Sequence, residues 1–161
     1  MEKIKLIKVQ KSDAEFICKL MNDKSLLLAL QERETPLGVW SYVISGWLKD
    51  DDDEDYILYF DGKPVGWLGI SGLMSYTQRP LIKMLAILPE YQNLGVGTYA
   101  VHFAIENLRS RGYLSLDLHT DQSNIKAQKC YQKCGFEIIG SITQKMSNGT
   151  IVERYTMRCK L

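Results

Sequence analysis

Gln92-Asn93-Leu94-Gly95-Val96-Gly97-Thr98 has the residue types and spacing of an anion site. An apolar run ends at Leu88-Pro89, a short turn follows, and two glycines open a helical pattern. The first N–H groups of a helix lack internal partners, and the helix dipole places partial positive charge there. Glycines leave the backbone bare, so a phosphate can approach it closely. Residues 92–98 are therefore expected to cradle a phosphate or pyrophosphate.

Three phosphate chemistries compete for this turn. A P-loop requires Lys and then Ser or Thr after its last glycine, whereas Gly97 is followed by Thr98-Tyr99, which removes that reading. A dinucleotide fingerprint fits Gly95-Val96-Gly97-Thr98-Tyr99-Ala100, with Asp117 downstream as the ribose acid. Two features oppose it. Pro89 to Leu94 separate the strand from the first glycine, and the motif lies in the second half of a small chain. The third chemistry draws on more of the sequence, namely the spacing from the glycine turn to Asn124-Ile125-Lys126-Ala127-Gln128-Lys129-Cys130-Tyr131 and then Lys133-Cys134-Gly135-Phe136.

These residues need elements to hold them. Ile4–Val9 alternates as a strand, and Ser12-Asp13-Ala14-Glu15 reads as a capping box for a helix to about Met21. Ser25–Leu30 is apolar and helical in pattern, and Gln31 to Glu34 is a charged connector. Thr35-Pro36 predicts an N-cap with proline at the first helical position. The helix after it carries Trp40, Val43, Ile44, Trp47 and Leu48 at helical spacing, a face expected to lie on a sheet. The acidic run Asp50–Asp55 reads as a solvated loop, or as a surface that attracts a cationic acceptor.

Tyr56–Phe60 and Val65–Ile70 are strands joined by Asp61-Gly62-Lys63-Pro64, and Ser75–Pro80 is a polar turn. Leu81–Leu88 is apolar enough for a central strand. Lys83 shares its alternation with Leu85 and Ile87, and no role follows for it. A helix over Val96–Arg111 ends at Gly112. Leu114–His119 is a strand and Asn124–Cys134 a helix. Phe136–Thr143 and Thr150–Leu161 form a hairpin through Asn148-Gly149. In the last strand Tyr155, Met157 and Cys159 share one face, and Arg154, Thr156 and Arg158 the other. The order predicts one α/β or α+β domain over residues 1–161, built on a mixed sheet.

Composition narrows the partners. Lys plus Arg number 20 and Asp plus Glu 19, so a net charge of +1 argues against nucleic acid or a membrane surface as the main partner. Met1-Glu2-Lys3-Ile4-Lys5 lacks the apolar core of a signal peptide, and no apolar run is long enough to cross a bilayer, so a cytoplasmic location is expected. Cys18, Cys130, Cys134 and Cys159 read as reduced thiols. Cys130 and Cys134 share a helix face, but a metal site would need two more ligands, and the only histidines are His102 and His119.

Gln92-x-x-Gly95-x-Gly97 joined to Asn124-x-x-Ala127-x-x-x-Tyr131-x-Lys133-x-Gly135-Phe136 resembles the GNAT N-acetyltransferases. The resemblance is dense from Val65 to Phe136 and extends along the chain in element order. It implies a mixed central sheet with a splayed strand pair, flanked by about four helices. It also implies acetyl-CoA as acyl donor, with residues 92–98 on the pyrophosphate and the backbone of Leu85 and Ile87 on the pantetheine arm. Asn124 matches a cofactor-contacting asparagine. Tyr131 matches the tyrosine near the thioester sulfur, a general acid for the leaving thiolate. The implied reaction is direct attack of an amine on the thioester in a ternary complex.

The glutamate that some members carry early in the strand before the glycine turn is missing from Arg79-Pro80-Leu81-Ile82-Lys83. Glu32, Glu34, His119 or water is left as the general base, and a non-catalytic acyl-CoA-binding module is the alternative. The expected acceptor is an amine-bearing small molecule or peptide, walled by the connector at about Asn22–Thr35 and by the final hairpin. A homodimer is common among relatives.

Overall fold

The structure is a computed structural model that describes residues 3–77 and 79–161. Met1 and Glu2 of the N-terminal reading, and Gln78 of the predicted turn, lie outside the described residues. Among the described residues the strands are β1 (Ile4–Lys8), β2 (Glu54–Phe60), β3 (Lys63–Ser71), β4 (Leu81–Ile87), β5 (Ser115–Asp121), β6 (Glu137–Lys145) and β7 (Ile151–Lys160). The helices are α1 (Ala14–Met21), α2 (Lys24–Leu30), α3 (Leu37–Trp47), α4 (Val96–Ser110) and α5 (Ile125–Lys133), five where the resemblance implied about four. One sheet runs β1-β2-β3-β4-β5-β7-β6.

The sheet separates two cores. Leu58, Leu68, Leu116 and Met157 face α4, which presents Ala100, Val101, Ala104 and Leu108. Each such buried Leu, Val or Met side chain contributes about 1.5–3 kcal/mol through lost water contact. On the other face Ile57, Trp67 and Ala86 meet Ile17 and Leu20 of α1 and Ile44 of α3. The predicted α3 face is divided. Ile44 is buried, Trp47 stacks on Trp67 at 4.8 Å, and Leu48, the residue just past the helix end, is exposed.

Two helix starts differ from the sequence reading. α1 is entered through a 3₁₀ turn at Lys11–Asp13, and the Gln10 N–H donates to the Asp13 carboxylate at 2.7 Å. Asp13 thus takes the role predicted for Glu15. Pro36, not Thr35, precedes α3 as its N-cap. The Asn22 carboxamide holds the Thr35 N–H at 2.9 Å and the Thr35 carbonyl at 2.7 Å, which keeps Thr35 out of the helix.

The acidic run is neither a solvated loop throughout nor a free anionic surface. β2 starts at Glu54 and draws the end of the run into the sheet, between β1 and β3. Asp52 accepts the N–H groups of Gly72 (3.1 Å) and Met74 (2.8 Å), and Glu54 pairs with Arg111 at 2.9 Å. Asp53 and Asp55 pair with Lys83, leaving Asp50 and Asp51 exposed.

The feature that makes a site is the parting of β4 from β5. They pair in parallel at Leu81↔Asp117 and Ile82↔Leu118, and then separate. A bulge in β4 falls at the separation, between the pairs Gly69↔Met84 and Ile70↔Ile82. An extra residue strengthens the local twist, which turns β4 away from its neighbour.

Candidate active site

The cleft opens where β4 and β5 diverge. Leu88 N–H bonds back to the Val65 carbonyl of β3 at 2.8 Å. By strand alternation Ala86 also turns to β3, and the backbone of Leu85 and Ile87 turns to the opening. Their side chains pack on the α4 core. Lys83 does not follow Leu85 and Ile87 as its sequence alternation suggested, because the bulge reverses the alternation and sends its side chain to the other face.

At the outer end of β4, Gln92 Nε2 donates to the Ile87 carbonyl at 2.9 Å and ties the glycine turn to the strand. Asn93 (φ 60°) and Gly95 (φ 85°) are left-handed, and Gly95 is the N-cap of α4. The first bond into the helix is Tyr99 N–H to the Gly95 carbonyl at 3.0 Å, so the N–H groups of Val96, Gly97 and Thr98 have no partner within the helix. Val96 is buried and Leu94 points to solvent, which leaves their backbone at the turn. A Cβ on Gly97 would lie 3.3 Å from Ile87 Cδ1, between the turn and the strand. Thr98 Oγ1 lies 3.7 Å from Cys130 Sγ of α5. Lys126 was not singled out by the sequence reading. Its Nζ donates to Asn93 Oδ1 at 2.6 Å, which sets a cation beside the free amides.

A groove of about 380 Å³ runs from this turn past Leu85, Ile87, Asn124 and Tyr131. It meets a second cavity of about 240 Å³, lined by Glu32, His119, Asp121, Gln144 and Arg154. Leu85, Asn124 and Tyr131 border both, so the junction lies beside them. Asn124 caps α5 by accepting the Ala127 N–H at 3.1 Å through Oδ1, and its Nδ2 is unpaired among the described residues. The Tyr131 ring packs edge-on against Phe136 at 6.0 Å. Its hydroxyl has no protein partner among the described residues, and burial pushes its pKa up to about 12.

The candidate bases separate in space. Glu34 is exposed and outside the cleft, and the second histidine, His102, is exposed on α4. Glu32 lines the cavity and accepts a hydrogen bond from Ser147 Oγ. His119 also lines it, with Nδ1 3.0 Å from Thr156 Oγ1. Burial lowers the His119 pKa, Arg154 lowers it further, and Asp117 opposes both. The imidazole is therefore neutral at pH 7. With the proton on Nδ1, the Nε2 lone pair is free.

Arg154 braces this wall, donating to Gln144 Oε1 and to the His119 carbonyl, each at 3.0 Å. Its Nε lies 3.0 Å from Asp121 Oδ1, an ion contact without hydrogen-bond alignment. Asp117 is occupied by a two-point pair with Arg158 at 2.7 and 2.8 Å, so it is not the free ribose acid of a dinucleotide site.

Residues 17–136 match the acetyltransferase (GNAT) family. The chain belongs to that family. This GNAT protein is an N-acetyltransferase that uses acetyl-CoA as its acyl donor. It is 30% identical over 122 residues to streptothricin acetyltransferase A of Bacillus subtilis, covering 65% of this chain and 69% of that enzyme. It is 31% identical over 81 residues to N-alpha-acetyltransferase 30 of Schizosaccharomyces pombe, covering 50% and 54%. The spermidine N-acetyltransferase of Vibrio cholerae, solved with CoA and spermine, superposes with a TM-score of 0.87 over 98% of this chain and 95% of that one. At 17% identity, that likeness concerns the fold. Among the described residues, no helix is long and apolar enough to cross a membrane.

The cleft fits the donor. The free amides of residues 96–98 and the Lys126 ammonium suit a pyrophosphate, and the open edge of β4 suits the amide-bearing pantetheine arm. The groove then ends at Tyr131, where the second cavity begins.

Proposed function

We propose that the chain, acting as one acetyltransferase domain, acetylates a primary amine of a small cationic molecule. The observation that carries this reading is the junction of the two cavities at Leu85 and Tyr131, with His119 on the acceptor side. The pyrophosphate is held by the backbone of residues 92–98 and by Lys126. The pantetheine arm runs along Leu85 and Ile87, and Asn124 Nδ2 donates to it.

The amine enters beside His119, whose Nε2 takes the ammonium proton. The freed nitrogen lone pair attacks the thioester carbonyl carbon. Negative charge gathers on the carbonyl oxygen, which the Ile87 N–H stabilises. The C–S bond then breaks, and the thiolate takes the Tyr131 proton. Burial, which pushes the hydroxyl pKa up to about 12, keeps the proton on Tyr131 before the step. The new amide nitrogen gives up its surplus proton, which passes through water to the Tyr131 phenolate, and His119 releases its proton to bulk water, so both groups are restored.

A small acceptor is favoured over a folded protein because the cavity is roofed. Ser147 accepts the Arg33 N–H at 2.9 Å and donates to Glu32, and Asn148 N–H bonds the Gln31 carbonyl at 3.2 Å. Glu32 and Asp121 against Arg154, with the Lys83 ammonium turned behind the sheet, favour a positively charged guest. The relatives named for streptothricin and spermidine act on molecules of this kind.

The test supplies acetyl-CoA with polyamines, amino sugars and peptides bearing a free N-terminus, and follows CoA release with the mass of each product. Acetylated polyamines or other small cations are expected. Turnover confined to peptides would overturn the acceptor class. Binding of acetyl-CoA without turnover of any amine would favour the non-catalytic module.

A further inference from the structure

Lys83 sits where β4 changes step. Gly69 pairs with Met84 and Ile70 with Ile82, so Lys83 is the extra residue of the bulge. Ahead of it, Ile82 pairs with Leu118 of β5. Beyond it, Leu85 and Ile87 face the opening. Were Lys83 paired as an ordinary ladder residue, without the bulge, the alternation would run on from Ile82, and the amides of Met84 and Ala86 would face the cleft instead. The bulge therefore selects which amides meet the donor.

The Lys83 side chain is gripped on the far face of the sheet. Its Nζ lies 3.2 Å from the Asp53 carboxylate and 3.2 Å from that of Asp55, and 4.4 Å from the centre of the Trp47 ring. Asp55 is 3% exposed at its side chain and also accepts the Trp67 indole N–H at 2.8 Å. Trp67 in turn pairs with Ala86, within the open stretch of β4. Gly69 provides the room. A Cβ there would lie 2.7 Å from Lys83 Cε and 2.8 Å from Asp55 Oδ1, closer than real Cβ contacts allow.

We propose that Gly69, Asp55 and Lys83 form a lock that holds the β4 bulge and thereby sets the Leu85 and Ile87 amides against the pantetheine and acyl end of acetyl-CoA. The lock rests on the reading of those two amides as the donor-binding edge. Lys83 is a positioning residue, because its backbone borders the cleft while its ammonium lies behind the sheet. Stability alone is a weak reason for such a pair, since a buried ion pair contributes little over an apolar replacement.

The test compares two ligands by calorimetry. One is acetyl-CoA. The other is 3′-phospho-ADP, the donor fragment without the pantetheine arm. The triple variant Lys83→Met, Asp53→Asn and Asp55→Asn removes all three charges and keeps the stem, so no charge of the cluster is left unpaired. Gly69→Ala is the second variant, with all three charges kept. In each, the Kd of acetyl-CoA is expected to rise about tenfold while that of 3′-phospho-ADP stays within about twofold. Hydrogen exchange at the Leu85 and Ile87 amides is expected to change in the same variants.

Equal weakening of both ligands would mean a general structural role, and no weakening of either would mean no role. Both results overturn the lock while leaving the donor groove intact. Failure of the unaltered protein to bind acetyl-CoA would instead refute the groove, and the lock with it.

Discussion

Replacing Tyr131 by Phe isolates one proton. The hydroxyl has no protein partner among the described residues, so its loss orphans no donor or acceptor. The ring retains its edge-on contact with Phe136 at 6.0 Å. The fold should therefore change by no more than about 0.5 kcal/mol. The rate should change far more. General acids contribute about 10²–10⁴-fold, and the leaving thiol, with an ordinary pKa of about 8.5, is already a fair leaving group. The lower end of that range is expected, a fall of about 10² in kcat, or about 2.7 kcal/mol in the barrier. The assay is thiol release under saturating acetyl-CoA and amine, with acetyl-CoA affinity measured separately by calorimetry. A kcat within about threefold of the unaltered protein would refute the acid role. So would a fall matched by an equal loss of acetyl-CoA binding, since the tyrosine would then be a wall of the groove and nothing more.

The other predictions concern neighbouring parts of the cleft and the sheet behind it. His119→Gln should cut kcat/KM about 10²-fold or more and remove its acid limb, which in the unaltered protein falls below pH 6.5 because burial and Arg154 lower the imidazole pKa; an unchanged pH profile would return the base role to Glu32 or water. Gly95→Ala places a side chain at φ 85°, costing about 1–2 kcal/mol of stability, and should weaken acetyl-CoA binding, whereas loss of stability without loss of affinity would remove the turn from the phosphate site. Burial raises the Asp55 pKa from 3.8 to about 6, with Lys83 and the Trp67 N–H opposing. For an acid raised on folding, the unfolded chain ionises first, so the Asp55 contribution to stability falls as pH rises from about 4 to 6. Asp55→Asn lacks that fall, and its stability relative to the unaltered protein should improve by about 3 kcal/mol across the window, measured by urea unfolding. A constant difference would show that Asp55 ionises normally.

Local chemistry made much of this protein legible. The glycine turn, the helix that opens at Asn124 and the two hairpins follow from backbone preferences that neighbouring residues fix among themselves, so their placement needed no knowledge of the fold. The pattern joining Gly95 and Gly97 to Asn124 and Tyr131 carried the family, and Gly97, Asn124 and Tyr131 line one groove. What the residues did not reveal were contacts between segments distant in sequence. Glu32 and Glu34 look alike in the chain, yet only Glu32 reaches the cavity, since Ser147 lies 115 residues away and holds it there. Lys126 gave no signal until α5 brought it to Asn93. The acidic run suggested solvent or a cationic acceptor, and entry into β2 converted most of it into pairs with Lys83, Arg111 and the Gly72–Met74 backbone. Lys83 shows the division most sharply. Period-two alternation is a local rule and placed it with Leu85, but a bulge is decided by how two strands fit, and it turned the side chain to the opposite face.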